Sequence, residues 1–133
     1  MTLYVDTSAL LKRYVQEPDS DRATEILAAD PVLVTGRHTV VEVRRNLARL
    51  LHPIEATAAR SAFATDLTSF SIIEIDAATC ELAATIAEQT GVRTLDALHL
   101  GAARRLGNAL TFVTFDIRQA QAARALGMGV AGA

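Results

Sequence analysis

Residues 2–5, TLYV, are suited to a buried strand and run straight into Asp6, and a helical pattern starts directly after it. The junction recurs. Glu42 in TVVEVRR, Asp96 in RTLDALHL and Asp116 in FVTFDIRQ each fall at or near the entrance of a helical stretch. Every one of these acids has an ordinary explanation. A negative side chain in a first helical turn is stabilising by about 0.3–1 kcal/mol against the helix dipole. TVVE has the form of a capping box, with Thr39 as the cap and Glu42 reaching back. Thr94 offers a cap ahead of Asp96, and Asp116 and Asp6 can cap their own helices. For Asp6 that role is redundant, because Thr7 and Ser8 can each serve. Capping also leaves the shared location of the four acids as coincidence. Two like charges about 5 Å apart repel by roughly 3 kcal/mol at an effective dielectric near 20. Four converging carboxylates would therefore oppose folding by on the order of 10 kcal/mol, comparable with the stability of a domain. Such a group must take up protons or cations, and clustered hard oxygen ligands suit Mg²⁺ or Mn²⁺, which also engage phosphates.

The elements that would position these acids follow from hydrophobic periodicity. Short apolar runs at 2–5, 32–35, 70–75, 110–115 and 128–131 read as strands. Between them lie helical patterns: SALLKRYVQ, stopped by Pro18; SDRATEILAA, ending before Pro31; and TVVEVRRNLARLL, with Val40, Val43, Leu47 and Leu50 or Leu51 on one stripe. Further helices read over about 54–68, 77–89, in LDALHLGAARRL and in IRQAQAARAL, the last three closed by Gly91, Gly107 and Gly127. Strands alternating with helices predict an α/β fold with a largely parallel sheet. In such sheets the chemistry gathers beyond the carboxyl ends of the strands, where the following helices begin. No repeat or linker interrupts the pattern, so residues 1–133 read as one domain.

Half of the residues are hydrophobic, mean hydropathy is +0.24 and aromatics are 5%, so the core must be mostly Ala, Val, Leu and Ile. A net charge of −2 excludes a global basic field of the kind duplex-binding proteins carry. Lys12 is the single lysine among 13 basic residues. Arginine's planar fork suits phosphate, although arginine-rich codon usage explains the bias equally well. Cys80 is alone, which rules out an intrachain disulfide and reads as a small buried filler on a helix. No apolar run approaches the roughly 18 residues of a membrane span, and Asp6 and Lys12 interrupt the amino terminus too early for a secretory signal. A soluble, cytoplasmic protein is expected.

Four stretches in order, YVDTSALLKRY, TVVEVRRNLARL, RTLDALHLGAARRLG and FVTFDIRQAQAARALGMGV, resemble the PIN-domain ribonucleases, and most of all the VapC toxins of bacterial VapBC toxin–antitoxin modules. The resemblance runs from the first strand to the last; residues 54–92 carry little of it. It implies a PIN-like fold, a mostly parallel sheet of about five strands sandwiched by helices. It also implies a divalent-metal site in which Asp6, Glu42, Asp96 and Asp116 are the catalytic acids and metal ligands. Ser8 matches the small hydroxyl of the first motif and Thr114 the one before the last acid, both as groups that hold the acids or a bound water. Gly101, where the family more often has alanine, reads as a harmless departure. The implied activity is an Mg²⁺-dependent endoribonuclease, with Mn²⁺ as a substitute, in which a metal-activated water hydrolyses RNA to a 5′-phosphate and a 3′-hydroxyl. The implied partners are a cognate VapB-like antitoxin and a second copy of the chain, with no membrane and no organic cofactor.

Other residues have plainer readings. His99, three residues after Asp96, has a spacing that could hold zinc or iron but reads better as a partly buried packing histidine beside hard oxygen donors. His38 and His52 flank the third helix and read as solvent-facing, so no histidine pair for a metal-free ribonuclease is evident. Arg93, Arg37 and Arg118 lie near the acidic motifs and either grip substrate phosphates or are solvated charges. Arg44, Arg45 and Arg49 read as a wet helix face or an antitoxin contact. Asp76 reads as the cap of the helix after it. A response-regulator receiver would need adjacent acids after the first strand and a late lysine, both missing here. A haloacid-dehalogenase phosphatase would need an aspartate where Ser8 stands. A structure-specific DNA nuclease would want substrate-gripping segments for which the chain has no room. The remaining alternative is a catalytically silent PIN-like module that binds RNA or protein.

Overall fold

In the computed structural model, which describes residues 2–133, five strands form one parallel sheet. They are β1 (Thr2–Val5), β2 (Leu33–Gly36), β3 (Ser71–Ile73), β4 (Leu110–Thr114) and β5 (Gly129–Gly132), in the order β3-β2-β1-β4-β5. Seven helices connect them: α1 (Thr7–Leu11), α2 (Ser20–Ala28), α3 (Thr39–Leu50), α4 (Pro53–Leu67), α5 (Ala77–Thr90), α6 (Thr94–Arg104) and α7 (Ile117–Ala125). β1 is central, with Tyr4 paired to Val34 on one side and to Phe112 on the other. The chain leaves β1 toward β2 and β3, then returns to add β4 and β5 on the opposite side. That reversal of direction opens a crevice beyond the carboxyl ends of β1 and β4.

Alternation along the strands divides the core in two. Leu3, Val5 and Val113 face one way and pack with Leu10, Leu27, Val43, Leu47 and Phe63. Tyr4 and Phe112 face the other way and pack with Ile86, Leu100, Ala103 and Ala123. The sheet is thus sandwiched between α1–α4 and α5–α7. The alanine-rich composition allows close helix contact, closest at Gly101. A Cβ built on Gly101 would lie 2.9 Å from the Ala83 backbone nitrogen and 3.0 Å from its Cα. The departure from alanine is therefore matched to the neighbouring helix, and the position does not tolerate a methyl freely.

Several elements differ from the sequence expectation, each for a local reason. The first helix stops at Leu11 rather than continuing through Gln16. Its end tightens into i→i−3 bonds, Arg13 N–H to Leu10 and Tyr14 N–H to Leu11, and the Tyr14 hydroxyl then donates to Asp66 at 2.6 Å. β3 keeps three of the six residues expected, because its only partner, β2, ends at Gly36 opposite Ile73. On α3 the expected stripe holds at Val43 and Leu47, which are buried, and at Leu51, which packs against the same core; Val40 is half-buried beside a buried Thr39, and Leu50 is exposed. Cys80 is exposed, not a buried filler, since α5 turns Thr79, Ala83 and Ile86 inward. Asp76 does cap α5, accepting from the Thr79 N–H. Among the described residues no helix is long and apolar enough to cross a membrane.

Replacing Gly101 by alanine sets a helix-propensity gain of about 0.5–1 kcal/mol against an overpacking cost of about 1–3 kcal/mol. Because the atoms it meets are backbone, the second effect should win. A loss of about 1 kcal/mol, read as a lower urea midpoint at unchanged slope, is expected; a stabilised variant would show that α5 and α6 separate easily.

Candidate active site

The crevice beyond β1 and β4 contains a cleft of about 250 Å³. Asp6, Glu42, Asp96 and Asp116 all line it, together with Thr7, Ser8, Asn46 and His99, and no lysine or arginine does. The topology brings them there. Asp6 ends β1, and its N–H donates to the Val113 carbonyl, which extends the ladder and locks it beside β4. Asp116 follows β4 by two residues, while Glu42 and Asp96 occupy the first turns of α3 and α6.

Asp6 is 4% exposed. Its Oδ1 accepts from the Ala9 N–H at 3.0 Å and from the Ser8 hydroxyl at 2.7 Å. Ser8 in turn accepts from the Phe115 N–H and lies 3.2 Å from the Thr114 hydroxyl, which itself accepts from the Asp116 N–H. Ser8 and Thr114 therefore splice the ends of β1 and β4 together around one carboxylate. Burial pushes the Asp6 carboxyl up, opposed by the His99 charge and by hydrogen bonds from Thr114, Ser8 and Ala9. Asp96 is also pushed up, first by burial and then by the neighbouring Asp116. Asp116 caps α7 through the Gln119 N–H. Gln119 also donates its side-chain amide to the Asp96 carbonyl at 3.3 Å, tying these two acid-bearing helices together.

Glu42 behaves differently. It does not close a capping box: Thr39 is instead the first residue of α3, with its hydroxyl 2.7 Å from that of Thr35 beneath the helix. Glu42 Oε1 accepts from the Thr7 hydroxyl at 2.8 Å and lies 2.8 Å from His99 Nε2. The other ring nitrogen, Nδ1, is 2.9 Å from the Tyr4 hydroxyl. Burial raises the Glu42 carboxyl, but the His99 hydrogen bond and charge, with Thr7, outweigh it and hold the group below the ordinary range. Thr94 likewise does not cap α6, whose N-cap position is Arg93.

Two histidine expectations need correction. His99 is buried, yet it is a polar partner of Glu42 and not merely packing. His38 is not solvent-facing: its side chain is 11% exposed and its ring centroid is 4.0 Å from that of His99, so a histidine pair does exist. The reason lies at Gly36, where a Cβ would fall 2.7 Å from the His38 ring. Without that Cβ the imidazole folds back over the strand end. Burial, then the His99 charge, lower His38 to about 4. Among the described residues, the ligand atoms lying within 4.8 Å of one another belong to His38, Glu42 and His99. The four acids share a cleft, but Glu42 leans toward the histidines, so the four-way convergence is looser than the sequence suggests. Thr7, Tyr4 and His38 were missed as site residues; Thr7 and Tyr4 lie inside the first motif, and nothing in the sequence pointed to His38.

The three arginines part company. Arg93 and Arg118 line a second cleft of about 460 Å³ that meets the acid cleft at Asp96. Arg37 instead forms a bidentate pair with Glu74, at 3.0 and 2.6 Å. The donor set of the acid cleft fits a hard divalent cation: hard oxygens from several elements, two of them held against their ordinary ionisation, with His99 and, from the adjoining cleft, Arg93 as counter-charges.

Comparison with known proteins bears on the family and the fold. The model of the PIN domain matches residues 3–125. Ribonuclease VapC46 of Mycobacterium tuberculosis is 34% identical over 129 residues, 96% of this chain and 95% of the relative. Two solved structures share the fold at lower identity. The sarcin–ricin-loop-cleaving toxin VapC20 of M. tuberculosis superposes with a TM-score of 0.72 at 21% identity, over 96% of each chain. The DNA-bound VapBC of Salmonella typhimurium gives 0.73 at 18%, over 99% of this chain and 98% of that one.

Asp96 provides the test of electrostatic crowding, because it caps nothing. Its raised carboxyl binds a proton more tightly folded than unfolded, so its ionisation costs stability as pH rises above the ordinary value of 3.8. In chelator at pH 7.5, Asp96→Asn should raise the melting temperature by about 2–3 °C, a modest gain because the group is half exposed. The gain should shrink toward pH 4. A lower melting temperature at pH 7.5 would instead mark Asp96 as architectural.

Proposed function

The chain belongs to the PIN-domain family, in common with the VapC ribonucleases, and from that premise we propose that it is a metal-dependent endoribonuclease toxin. The observation that carries this reading is the cleft at the carboxyl edge of the sheet, lined by four acids and by no lysine or arginine. Asp6, Asp96 and Asp116, with Glu42 at the side, would hold Mg²⁺ or, in its place, Mn²⁺. When bound, such an ion supplies Lewis acidity at a phosphodiester and makes a water acidic enough to attack near neutral pH.

The chain's own residues set the geometry. Asp6 is fixed by Ser8, Ala9 and Thr114, so its carboxylate needs no reorganisation when charge develops beside it. Arg93 and Arg118, in the adjoining cleft, would hold the phosphates that flank the scissile one. Arg37 is left out of this role, since its guanidinium already pairs with Glu74. Water attacks phosphorus in line with the departing 3′ oxygen; the P–O3′ bond breaks, leaving a 5′-phosphate and a 3′-hydroxyl. Residues 1–133 act as a single PIN domain in this reading, and the protein works in the cytoplasm.

A VapB-like antitoxin completes the proposal, supported by the solved VapBC relative and by the surface between α3 and α4. There the exposed apolar residues Leu50 and Ile54 stand near a groove lined by Arg44 and Arg60. Homodimerisation belongs to the same proposal, with Leu95 and Ile117 as exposed apolar residues beside Asp96 and Asp116.

The test is cleavage of total RNA by the purified protein with Mg²⁺ or Mn²⁺. Asp116→Asn keeps a good cap for α7 and relieves Asp96 of a like charge, so the melting temperature in chelator should hold or rise slightly while cleavage falls by about 100-fold or more. Chelator should abolish cleavage, and the products should carry 5′-phosphates. RNA left intact by the wild type with either metal, and equally by Asp116→Asn, would favour a silent binding module.

A further inference from the structure

Beside the acid cleft stands a donor set of another chemical kind. His38 and Glu42 lie four residues apart on the entry to α3, and His99 faces them from α6. Their ligand atoms all fall within 4.8 Å of one another. The closest approach is 2.8 Å, between His99 Nε2 and Glu42 Oε1, and His38 Nε2 is 3.8 Å from the same oxygen. Ligands bound at 2.0–2.1 Å in a tetrahedron stand about 3.3 Å apart, a spacing these distances bracket. We propose that His38, Glu42 and His99 form a site for a borderline divalent transition metal of the Zn²⁺ or Co²⁺ class, distinct from the carboxylate site for Mg²⁺.

Three features of the surroundings support it. First, both ring nitrogens of His38 are buried and neither makes a hydrogen bond of normal geometry, the Leu95 backbone offering only a weak contact. A polar group buried without a partner opposes folding, and ligation gives this one a role. Second, the ring is held in place by design of the backbone: Gly36 lacks the Cβ that would occupy its position. Third, His99 has the outer partner that metal-binding histidines carry. Its Nδ1 is 2.9 Å from the Tyr4 hydroxyl, which fixes the ring and leaves Nε2 facing Glu42 and His38. Two imidazoles and one carboxylate are the ligands of open tetrahedral zinc sites, whereas Mg²⁺ prefers oxygen alone. Glu42 is common to both sites, so filling the histidine site draws its carboxylate away from the acid cleft and opposes the Mg²⁺ or Mn²⁺ chemistry there.

The site itself is tested without RNA, so that its failure is separate from failure of the nuclease reading. Co²⁺ titrated into the purified chain should bind at one equivalent with the visible bands of imidazole ligation, and Zn²⁺ should displace it. Binding should survive in Asp96→Asn/Asp116→Asn and weaken at least 30-fold in His38→Ala. Should His38→Ala fold poorly, imidazole ¹⁵N NMR of the wild type gives the answer directly: Zn²⁺ should shift His38 and His99 and leave His52 unmoved. Unchanged affinity in a folded His38→Ala, loss of Co²⁺ binding in Asp96→Asn/Asp116→Asn, or Zn²⁺ shifts confined to His52 would each overturn the site. In Mn²⁺-supported cleavage, one equivalent of Zn²⁺ should inhibit the wild type; full activity with the site occupied would overturn the antagonism through Glu42.

Discussion

Crowding of negative charge at one end of a parallel sheet is the constraint to which the rest of this molecule answers. The strand order brings the ends of β1 and β4 together, and with them Asp6 and Asp116. The entrances of α3 and α6 bring Glu42 and Asp96 to the same cleft. Each acid meets the resulting cost by different means. Asp6, the most buried, is surrounded by donors from Ser8, Ala9 and Thr114. Glu42 is compensated by His99 and Thr7, strongly enough to keep it ionised. Asp96 has little of either and is pushed up by burial and by Asp116. The repulsion is thus concentrated on one side of the cleft, at the pair Asp96 and Asp116.

The same constraint explains why the supporting polar residues lie where they do. The Thr35 hydroxyl reaches the Val5 carbonyl at 2.7 Å and approaches Thr39, which anchors the start of α3 to the end of β1. Gln119 ties α7 to the Asp96 carbonyl. Tyr4, stacked on Phe112 in the core below, carries His99 on its hydroxyl. A chain of fixed contacts therefore runs from the apolar core through Tyr4 and His99 to Glu42.

The sequence made the sheet plan and the four acids legible because they rest on local patterns: apolar runs, helix entrances and their ordered motifs. It could not show what depends on approach in space. The burial of Thr39 at the start of α3 follows from its hydroxyl contact with Thr35 on β2 and not from the pattern of valines and leucines. Cys80 is outside because Thr79 next to it satisfies its hydroxyl on the Glu74 carbonyl and turns inward. The pairing of His38 with His99 joins residues 61 positions apart and hinges on a missing Cβ at Gly36. Arg37 looks like Arg93 and Arg118 in sequence; only the position of Glu74, at the end of a different strand, pairs it away from the acid cleft.

The question raised by Asp6, whether it caps a helix or belongs to a site, turns out to pose a false choice. In Asp6 and in Asp116 the capping bond falls on Oδ1, from the Ala9 and Gln119 N–H groups respectively. The second carboxylate oxygen stays out of the cap in both. A capping aspartate is held at a fixed torsion by the helix it starts, and at the carboxyl edge of a parallel sheet that helix points its positive end at the same cleft. Capping therefore aims and steadies the carboxylate, and it lowers the cost of keeping the group charged. The redundancy of Thr7 and Ser8 as caps has the same origin: with Asp6 starting α1, Ser8 is freed to hold Asp6, and Thr7 to hold Glu42.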